Sequence, residues 1–433
     1  PGSGTGGSNA NGRRQTSNGL RIEGILGIAE KTSSILNSTN RGGDSSSLVP
    51  IDAIQEFNSS YNPKAEYGFR DGSVVNLGIK SGTNRLHGTA YAFGRNAGAT
   101  DAANAFTGKV TPAFLEQFGG FAGGRIIRDK LFWFAGYEGI RDENGATSTT
   151  TAPTSVAGAG VGNSIVDTCR SLGAAAINPL SAQLAGLNPS TCVVSPASDT
   201  VENVFPYFDS QSTTFFQSAQ SNLPLNNGLF KGDYSLNEHN HISGFFYQSK
   251  SLSRNLSGDN LLPIYYTGGV NFARQESGSW TWTPGSNWVN DLRMGLVYNR
   301  NQTVAGDVDR PAGDPWPSGY NMPTGVTNPL YGGLPTIQIN AFKGSVGANA
   351  NSSAGGVQGN FNLLESLSYL RGNHNIKFGF EYIKQIANRA RFQNAVGTIV
   401  FTTLDTFLRG SPNNAKIAFG NAIGHKIFFG AVR

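Results

Sequence analysis

The stretch VPIDAIQEFNSSYNPKAEYGFRDGSVVNLGIKSGTN, residues 49–84, decides the fold class of this chain. Its clearest part is residues 74–80, where the apolar residues Val75, Leu77 and Ile79 alternate with polar or small ones. A period of two predicts a β-strand. The turn-forming letters SGTN then end that strand at residues 81–84. The earlier letters IDAIQEF, residues 51–57, have apolar residues at half-helical spacing and are too few to assign.

The composition is typical of a β-rich chain with one lipid-facing and one water-facing surface. Of the 433 residues only 14% are charged and 38% hydrophobic, while 57 are glycine and 11% aromatic. No run of eighteen apolar residues is present, so we expect no helical membrane span. The net charge of +5 is spread along the chain. We therefore expect no nucleic acid partner.

The ends of the chain predict a fragment of a longer protein, truncated on both sides. The first residue is Pro1, and the last, Arg433, ends an apolar run that reads as a strand. The lack of a signal peptide then says nothing about export.

Four segments together resemble the TonB-dependent outer-membrane receptors, most closely their Oar-like branch. They are IDAIQEF at 51–57, AEYG at 65–68, GSVVNLGIKSGTN at 72–84 and HGTAYAFGRN at 87–96. In that family these segments form the end of a plug domain and the crossing into a β-barrel. Two departures are RDGS at 70–73, where the family has more glycine, and the pair Gly78-Ile79. The residues that match the plug motif are Asp52, Ile54, Glu56, Phe57, Gly68, Gly72, Val75, Asn76, Lys80, Ser81, Gly82 and Thr83.

Two further segments extend the resemblance in both directions. QFGGFAGGRIIRDKLFWFAGYEGIR, residues 117–141, resembles a barrel hairpin of the family with its turn at 128–130, although Arg125 stands where a proline is usual. NGRRQTSNGLRIEGI, residues 11–25, resembles the middle of the plug and is weakly strand-like. The alternative for residues 1–47, which are rich in Gly, Ser, Asn and Thr, is a disordered leader.

The implied fold is mainly β, with a plug domain followed by antiparallel strands of a partial transmembrane β-barrel. The plug is expected at residues 1–84 and the barrel at 85–433, with long extracellular loops at about 97–116, 142–224 and 302–355. Alternation predicts about ten strands, among them 229–236, 242–249, 271–283, 288–301, 361–370 and 376–384, and a short helix is expected within 401–412. Short turns alternate with long loops, as in outer-membrane barrels.

Aromatic and cysteine residues carry two further expectations. Trp280, Trp282 and Trp288 flank a short turn and are expected in an interfacial aromatic girdle; ordinary cross-strand packing is the alternative. Cys169 and Cys192 lie in the long loop at 142–224, where a disulfide fits an exported protein and would stabilise it by roughly 3 kcal/mol. Two free thiols are the alternative.

No constellation of catalytic or metal-binding residues stands out, so we expect no enzyme, no cofactor and no metal. His239 and His241 could bind a metal in principle, but no third ligand converges on them in the sequence, and turn hydrogen bonding is the simpler interpretation. The letters contain neither G-x-S-x-G nor a Walker-type loop.

The resemblance implies a receptor of the bacterial outer membrane that takes up or translocates a bulky substrate by rearrangement of its plug. Its expected partners are outer-membrane lipid, the unknown substrate and a TonB-type energy-coupling protein, whose contact box is not in these residues. The alternative is a surface structural, adhesive or filament-forming β-rich protein. A soluble carbohydrate-binding β-module is a third option, and it would have short loops at both ends.

Overall fold

The computed structural model describes residues 19–27, 49–60, 74–100, 113–195, 212–255, 260–261, 265–304, 307, 333–347, 354–391, 397–416 and 427–431. These residues form a large antiparallel sheet, a small sheet packed on one face of it, and a mixed α/β module at one end. Among them, no helix is long and apolar enough to cross a membrane. The chain is mainly β, as predicted.

The small sheet has four strands in the order β2-β1-β4-β3. Its central pair, β1 and β4, is parallel, and both outer pairs are antiparallel. β4 coincides with the strand predicted from residues 74–80, and a short 3-10 turn precedes β3 where the sequence was ambiguous. The bounds are β1 Gly19–Ile22, β2 Ile25–Leu26, the 3-10 turn Ile51–Ala53, β3 Ile54–Ser60 and β4 Val74–Ile79.

The large sheet, here called the wall, has ten strands that pair antiparallel with their neighbours along the chain. Its two edge strands are the first and the last, so the wall is an open sheet in the described part of the chain. The strands are β5 His87–Asn96, β6 Ala113–Ile127, β7 Leu131–Thr151, β10 Thr214–Asn237, β11 Asn240–Asn255, β12 Thr267–Gly285, β13 Trp288–Val304, β16 Ala354–Arg371, β17 His374–Arg391 and β20 Ile427–Ala431.

Each wall strand alternates between an inner face, which packs on the small sheet, and an outer face. On β17 the outer face carries Ile376, Phe378 and Phe380, each more than half exposed. The inner residue Glu381 contacts the small sheet instead. A contiguous exposed apolar surface of this kind is suited to lipid rather than to water.

The ends of the wall strands differ. At one end the four connections between wall hairpins are two or three residues long, as at Ser286-Asn287 and Gly372-Asn373. At the other end they are long, and four of them fold together into the mixed module. This asymmetry matches the short periplasmic turns and long extracellular loops of outer-membrane barrels.

The module at the long-loop end has its own hydrophobic core, which includes Ile165, Leu261, Phe342, Phe401 and Phe407. Its helix α4 lies within the predicted range 401–412, begins after the capping residue Thr403 and buries Leu404, Phe407 and Leu408. The elements are α2 Ile165–Leu172, α3 Pro179–Leu184, α4 Leu404–Leu408, β8 Leu187–Asn188, β9 Val193–Val194, β14 Thr336–Ile339, β15 Ser345–Val346, β18 Thr398–Phe401 and β19 Asn414–Lys416.

The predicted loops differ from the observed ones in their limits. β7 continues to Thr151 and β10 starts at Thr214, so the paired strands extend well into the loop expected at 142–224. The sequence of these added portions is mainly polar, so it shows no alternation that would predict a strand. β13 likewise reaches Val304, and β14 and β15 lie inside the loop expected at 302–355. In the loop expected at 97–116, the short helix α1 (Ala97–Thr100) follows β5 and β6 already starts at Ala113.

Candidate functional site

The contact between the small sheet and the wall is built around one tight hairpin, residues 19–26, which we call the docking hairpin. β1 and β2 are joined by two residues, Glu23 and Gly24, with Ile22 opposite Ile25. Both connecting residues have positive φ, 52° for Glu23 and 80° for Gly24. Positive φ at both positions is the geometry of a type I′ turn, for which Asn, Asp or Gly is usual. A glutamate there is strained, and its surroundings must hold it.

Glu23 is held from both sides of the contact. Its own amide donates to the carbonyl of Leu77 at 3.0 Å, and its carboxylate accepts from the amide of Ile79 at 2.6 Å. From the wall, the ammonium of Lys231 donates to both carboxylate oxygens at 3.1 Å and to the carbonyl of Ile79 at 3.0 Å. These three acceptors satisfy all three donors of the ammonium group. One wall lysine therefore ties together the hairpin and β4.

A second ion pair lies on the other side of the hairpin. Arg21 donates to Glu381 of β17 at 2.8 Å, and their side chains are 4% and 11% exposed. Arg21 also donates to the carbonyl of Gly24 at 3.0 Å, which closes the turn. Burial makes such a pair costly to break by removing one partner, because the other charge is then left without compensation.

Wall side chains bind the backbone carbonyls of the docking hairpin. Gln275 of β12 donates to the carbonyl of Ile22 at 2.9 Å, and Arg293 of β13 donates to that of Glu23 at 3.3 Å. Two asparagines of β16 bind the carbonyls that follow, Asn362 at Leu26 and Asn360 at Gly27. The hairpin is thus attached to four wall strands by side chains, and to β17 through Arg21.

Apolar contacts complete the same interface. Ile25 lies directly over Gly295 of β13, where an added Cβ would come within 2.8 Å of the isoleucine side chain. Ile22, Leu77 and Ile79 pack in one cluster with wall residues such as Phe245. The contact therefore combines an apolar patch with a polar rim, like the interface between two separable domains.

The segment from β4 to β5 passes very close to the β6–β7 hairpin. A Cβ on Gly82 would lie 2.3 Å from the carbonyl oxygen of Trp133 and 2.5 Å from that of Gly124, so only glycine fits. The amide of Asp129, in the turn, donates to the side chain of Asn84 at 3.0 Å. The letters SGTN thus mark a close crossing rather than a free loop.

The predicted plug-motif residues fall into five groups. Val75 and Asn76 belong to the interface, and Asn76 accepts from the amide of Gly24 at 3.2 Å. The backbone of Lys80 bonds Ala53 at 2.9 Å and ties β4 to the 3-10 turn. Of those on or before β3, Ile54 packs against the apolar cluster of the interface, whereas Phe57 is 66% exposed. Of the twelve, Asp52, Ile54, Glu56 and Phe57 lie in the turn or on β3, Ser81, Gly82 and Thr83 lie in the crossing segment, and Gly68 and Gly72 lie outside the described residues.

Sequence reasoning missed the residues that make the contact. Period two separates Lys231 from Phe230 and Glu381 from Phe380, and the structure places both charged residues on the inner face. Their partners Glu23 and Arg21 lie over two hundred residues away in sequence, so no local pattern could pair them. Gln275 reads as an ordinary polar residue of an alternating strand.

The cysteines and histidines have structural partners. Cys169 and Cys192 form a disulfide that joins α2 to the turn before β9 in the module. Nδ1 of His239 lies 2.8 Å from the carbonyl of Thr283, and that of His241 lies 3.0 Å from the hydroxyl of Ser235. Both histidines thus bond neighbouring strands at a short turn.

The chain is similar to known outer-membrane proteins. The family model described as an outer membrane beta barrel domain matches residues 78–426. The TonB-dependent transporter Oar of Myxococcus xanthus is 29% identical over 143 residues, which are 30% of this chain and 12% of that protein.

Among solved structures, the outer membrane transporter YddB from Escherichia coli matches with a TM-score of 0.54 and 12% identity. The match covers 98% of this chain and 46% of that one, so the chain spans less than half the length of that transporter. At such identity the likeness shows the fold alone.

Proposed function

Because the chain belongs to the outer membrane beta barrel domain family, we propose that it is part of a TonB-dependent receptor, of Oar-like type, that moves a bulky substrate across the bacterial outer membrane. The observation that carries the proposal is the docking hairpin. Its two ion pairs, and four hydrogen bonds from wall side chains to backbone carbonyls of residues 22–27, attach the small sheet to the inner face of the wall. The 29% identity to a TonB-dependent transporter supports it.

We propose that residues 1–84 form the plug and residues 85–433 the start of the barrel. The small sheet lies entirely within the first range, the wall within the second, and Gly82 at the boundary. Deleting residues 1–84 from the full-length protein should then raise its ion conductance in planar bilayers. Equal conductance with and without these residues would show that they do not close the lumen.

The chemistry of the contact suits release under force. The hairpin carbonyls are bound by side chains, so separation breaks no β-ladder, and water can replace each bond. Net values of about 0.5–1.5 kcal/mol per hydrogen bond put the four carbonyl contacts at several kcal/mol in all. A pulling partner of the TonB type could supply that amount in steps, and the inner-membrane proton gradient would be its source.

The module at the long-loop end is the proposed substrate-contacting surface. It faces outward if the short turns are periplasmic. Its disulfide and shared core hold four long connections in one unit, which preorganises a broad surface for a large ligand. Such a surface suits a glycan, a peptide or an exported protein better than a small metal chelate.

A comparison of spent media tests the transport proposal without knowledge of the substrate. Cells with and without the full-length gene are grown with and without a protonophore, and the compounds remaining are identified by mass spectrometry. We expect one class of large compounds to be depleted only by energised cells that carry the gene. If no compound depends on both the gene and the proton gradient, uptake is refuted and export or adhesion takes its place.

A further inference from the structure

The outer face of the wall carries a group of positive charges at one constant distance from the short turns. Counted from the nearest short turn, each lies eleven to thirteen residues along its strand. The group consists of Arg141 on β7, Lys250 on β11, Arg274 on β12, Arg300 on β13 and Lys384 on β17.

This distance places the charges at the outer edge of the lipid. Strands rise about 3.4 Å per residue and tilt by roughly 40° in such barrels, so twelve residues span roughly 31 Å along the membrane normal. The apolar band is about 25 Å tall. Trp280, Trp282 and Trp288 lie within six residues of a short turn and mark the opposite edge.

Three of these residues form a compact patch, here called the outer cationic patch: Lys250, Arg274 and Arg300. The ladder places Lys250 opposite Phe272 and Phe272 opposite Arg300. With strands about 4.8 Å apart, the two cations flank the aromatic ring at roughly 10 Å from each other. Arg274 lies two residues from Phe272 on the same face.

The patch keeps a net positive charge after its acidic neighbour is counted. Glu276 pairs with Arg274, whose guanidinium also lies 5.4 Å from the centre of the Phe246 ring. Arg300 donates to the amide oxygen of Gln302 at 2.7 Å. On the flank, Arg141 donates to Asn226, which lies opposite Lys250. Three cations thus share one carboxylate within the described patch.

An apolar groove lies directly below the patch, on the side of the short turns. Its floor is a row of glycines that stand opposite each other on adjacent strands, Gly232, Gly244 and Gly278. A Cβ on Gly244 would meet nothing within 4 Å, so the floor is open to the outside. Phe230, Phe246, Met294 and Leu296 line its rim. The groove lies at the depth of lipid chains, since Gly278 is four residues closer to the turn than Arg274.

We propose that the outer cationic patch and the glycine-floored groove bind one lipid of the outer leaflet that carries a phosphorylated head group. The patch takes the phosphate, because cations at the membrane surface attract anionic lipid heads. The groove takes an acyl chain. A chain lying in the groove makes van der Waals contacts that a lipid lying across its rim would not make. Because the cationic patch and the apolar groove are adjacent, the site favours a lipid, which has both a charged head and an apolar chain, over free phosphate.

Native mass spectrometry of the full-length protein tests the site. The probes are lipid A with two phosphates, the same lipid with its phosphates removed, and inorganic phosphate as a competitor. The variant K250Q/R274Q/R300Q removes the patch, and R128Q/K130Q/R371Q removes three charges at the opposite end as the matched control. Gly244→Phe fills the groove and leaves the patch charges in place.

The expected result is selective loss of the phosphorylated lipid. One charge near a membrane surface is worth about a fivefold change in binding, so the triple patch variant should bind roughly 100-fold more weakly. The control should bind like wild type, Gly244→Phe should bind at least fivefold more weakly, and excess inorganic phosphate should displace little.

Three results would overturn the proposal: equal binding of the phosphorylated and dephosphorylated lipids, equal loss in the control variant, or full displacement by inorganic phosphate. Mobility of unboiled samples on gels checks that each variant folds. Should the triple variant fail that check, the single variant Lys250→Gln serves instead. It should bind about fivefold more weakly, and wild-type binding by it would refute the patch.

Discussion

Replacing Lys231 by Met should loosen the docking hairpin by a predictable amount. The ammonium group has three acceptors within 3.1 Å, and its side chain is 9% exposed. Removing one partner of a buried pair costs about 3–5 kcal/mol. Glu23 keeps part of its environment, because its side chain is 20% exposed and still accepts from the amide of Ile79. We therefore expect the free energy that holds the docking hairpin on the wall to fall by about 2–3 kcal/mol.

Hydrogen–deuterium exchange on the full-length protein in detergent measures this loosening. The informative amides are those of Ile79 and Glu23, which bond across the hairpin and β4. At about 1.4 kcal/mol per factor of ten, the loss predicts roughly 30- to 150-fold faster exchange in these segments. Lys250→Met is the matched control, since that lysine lies on the outer face and should leave these amides unchanged.

A double-mutant cycle adds the decisive comparison. Glu23→Gln keeps the shape and an acceptor oxygen but removes the charge that Lys231 compensates. The double variant should lose about 1 kcal/mol or more less free energy than the two single variants lose together, because the interaction between the two residues is lost only once. Unchanged exchange in Lys231→Met, or strict additivity in the cycle, would refute the reasoning.

Three other perturbations follow from the structure. Gly82→Val places side-chain atoms against the carbonyls of Trp133 and Gly124 and should strongly reduce the yield of folded, heat-modifiable protein, whereas Gly94→Ala, with open space around its Cβ, should not. Cys169→Ser with Cys192→Ser should make the long-loop module more sensitive to protease, by roughly 3 kcal/mol of local stability, while the gel mobility of the barrel stays the same. The fluorescence of Trp280, Trp282 and Trp288 should be quenched by lipids brominated near the head group more than by lipids brominated at the chain end; the reverse order would contradict their interfacial position.

Strand alternation predicted most of the wall, because a membrane-facing sheet imposes it. The outer residues Ile376, Phe378 and Phe380 must be apolar, and the inner Glu381 need not be, so period two is visible in the letters. The same reasoning failed at residues 142–151 and 214–224, whose sequence is mainly polar and has no apolar alternation. Strand pairing there depends on the backbone and leaves no pattern.

The docking hairpin lay beyond sequence reasoning for a different reason. Its turn has glutamate where the preferred residues are Asn, Asp or Gly, so turn chemistry gave no signal at Glu23. The strained conformation of Glu23 is stabilised by Lys231 and by the amide of Ile79, which both bind its carboxylate. Residues joined over such sequence distances can be sorted by face from the sequence, but not paired.

The module at the long-loop end was the least foreseeable part. Its core combines residues from short apolar segments, among them Phe401, Phe407 and Leu261. Each segment by itself is too short to predict a strand or a helix. Only α4 was predicted, because Leu404, Phe407 and Leu408 have helical spacing. Four connections must meet before any of them has a core to fold around.

A reversible lock on the docking hairpin tests most directly whether the small sheet must leave the wall for transport. Ile25→Cys with Gly295→Cys puts two cysteines next to each other, because a Cβ at position 295 would lie 2.8 Å from the Cγ atoms of Ile25, and a disulfide can join them. Ile25→Cys with Gly228→Cys, on the opposite face of the wall and with open space around its Cβ, is the control. In the spent-medium assay, the locked cells should deplete nothing until a mild reductant is added, and the control cells should match wild type throughout. Full depletion by cells whose 25–295 disulfide is proven by mass spectrometry would contradict movement of the hairpin during transport.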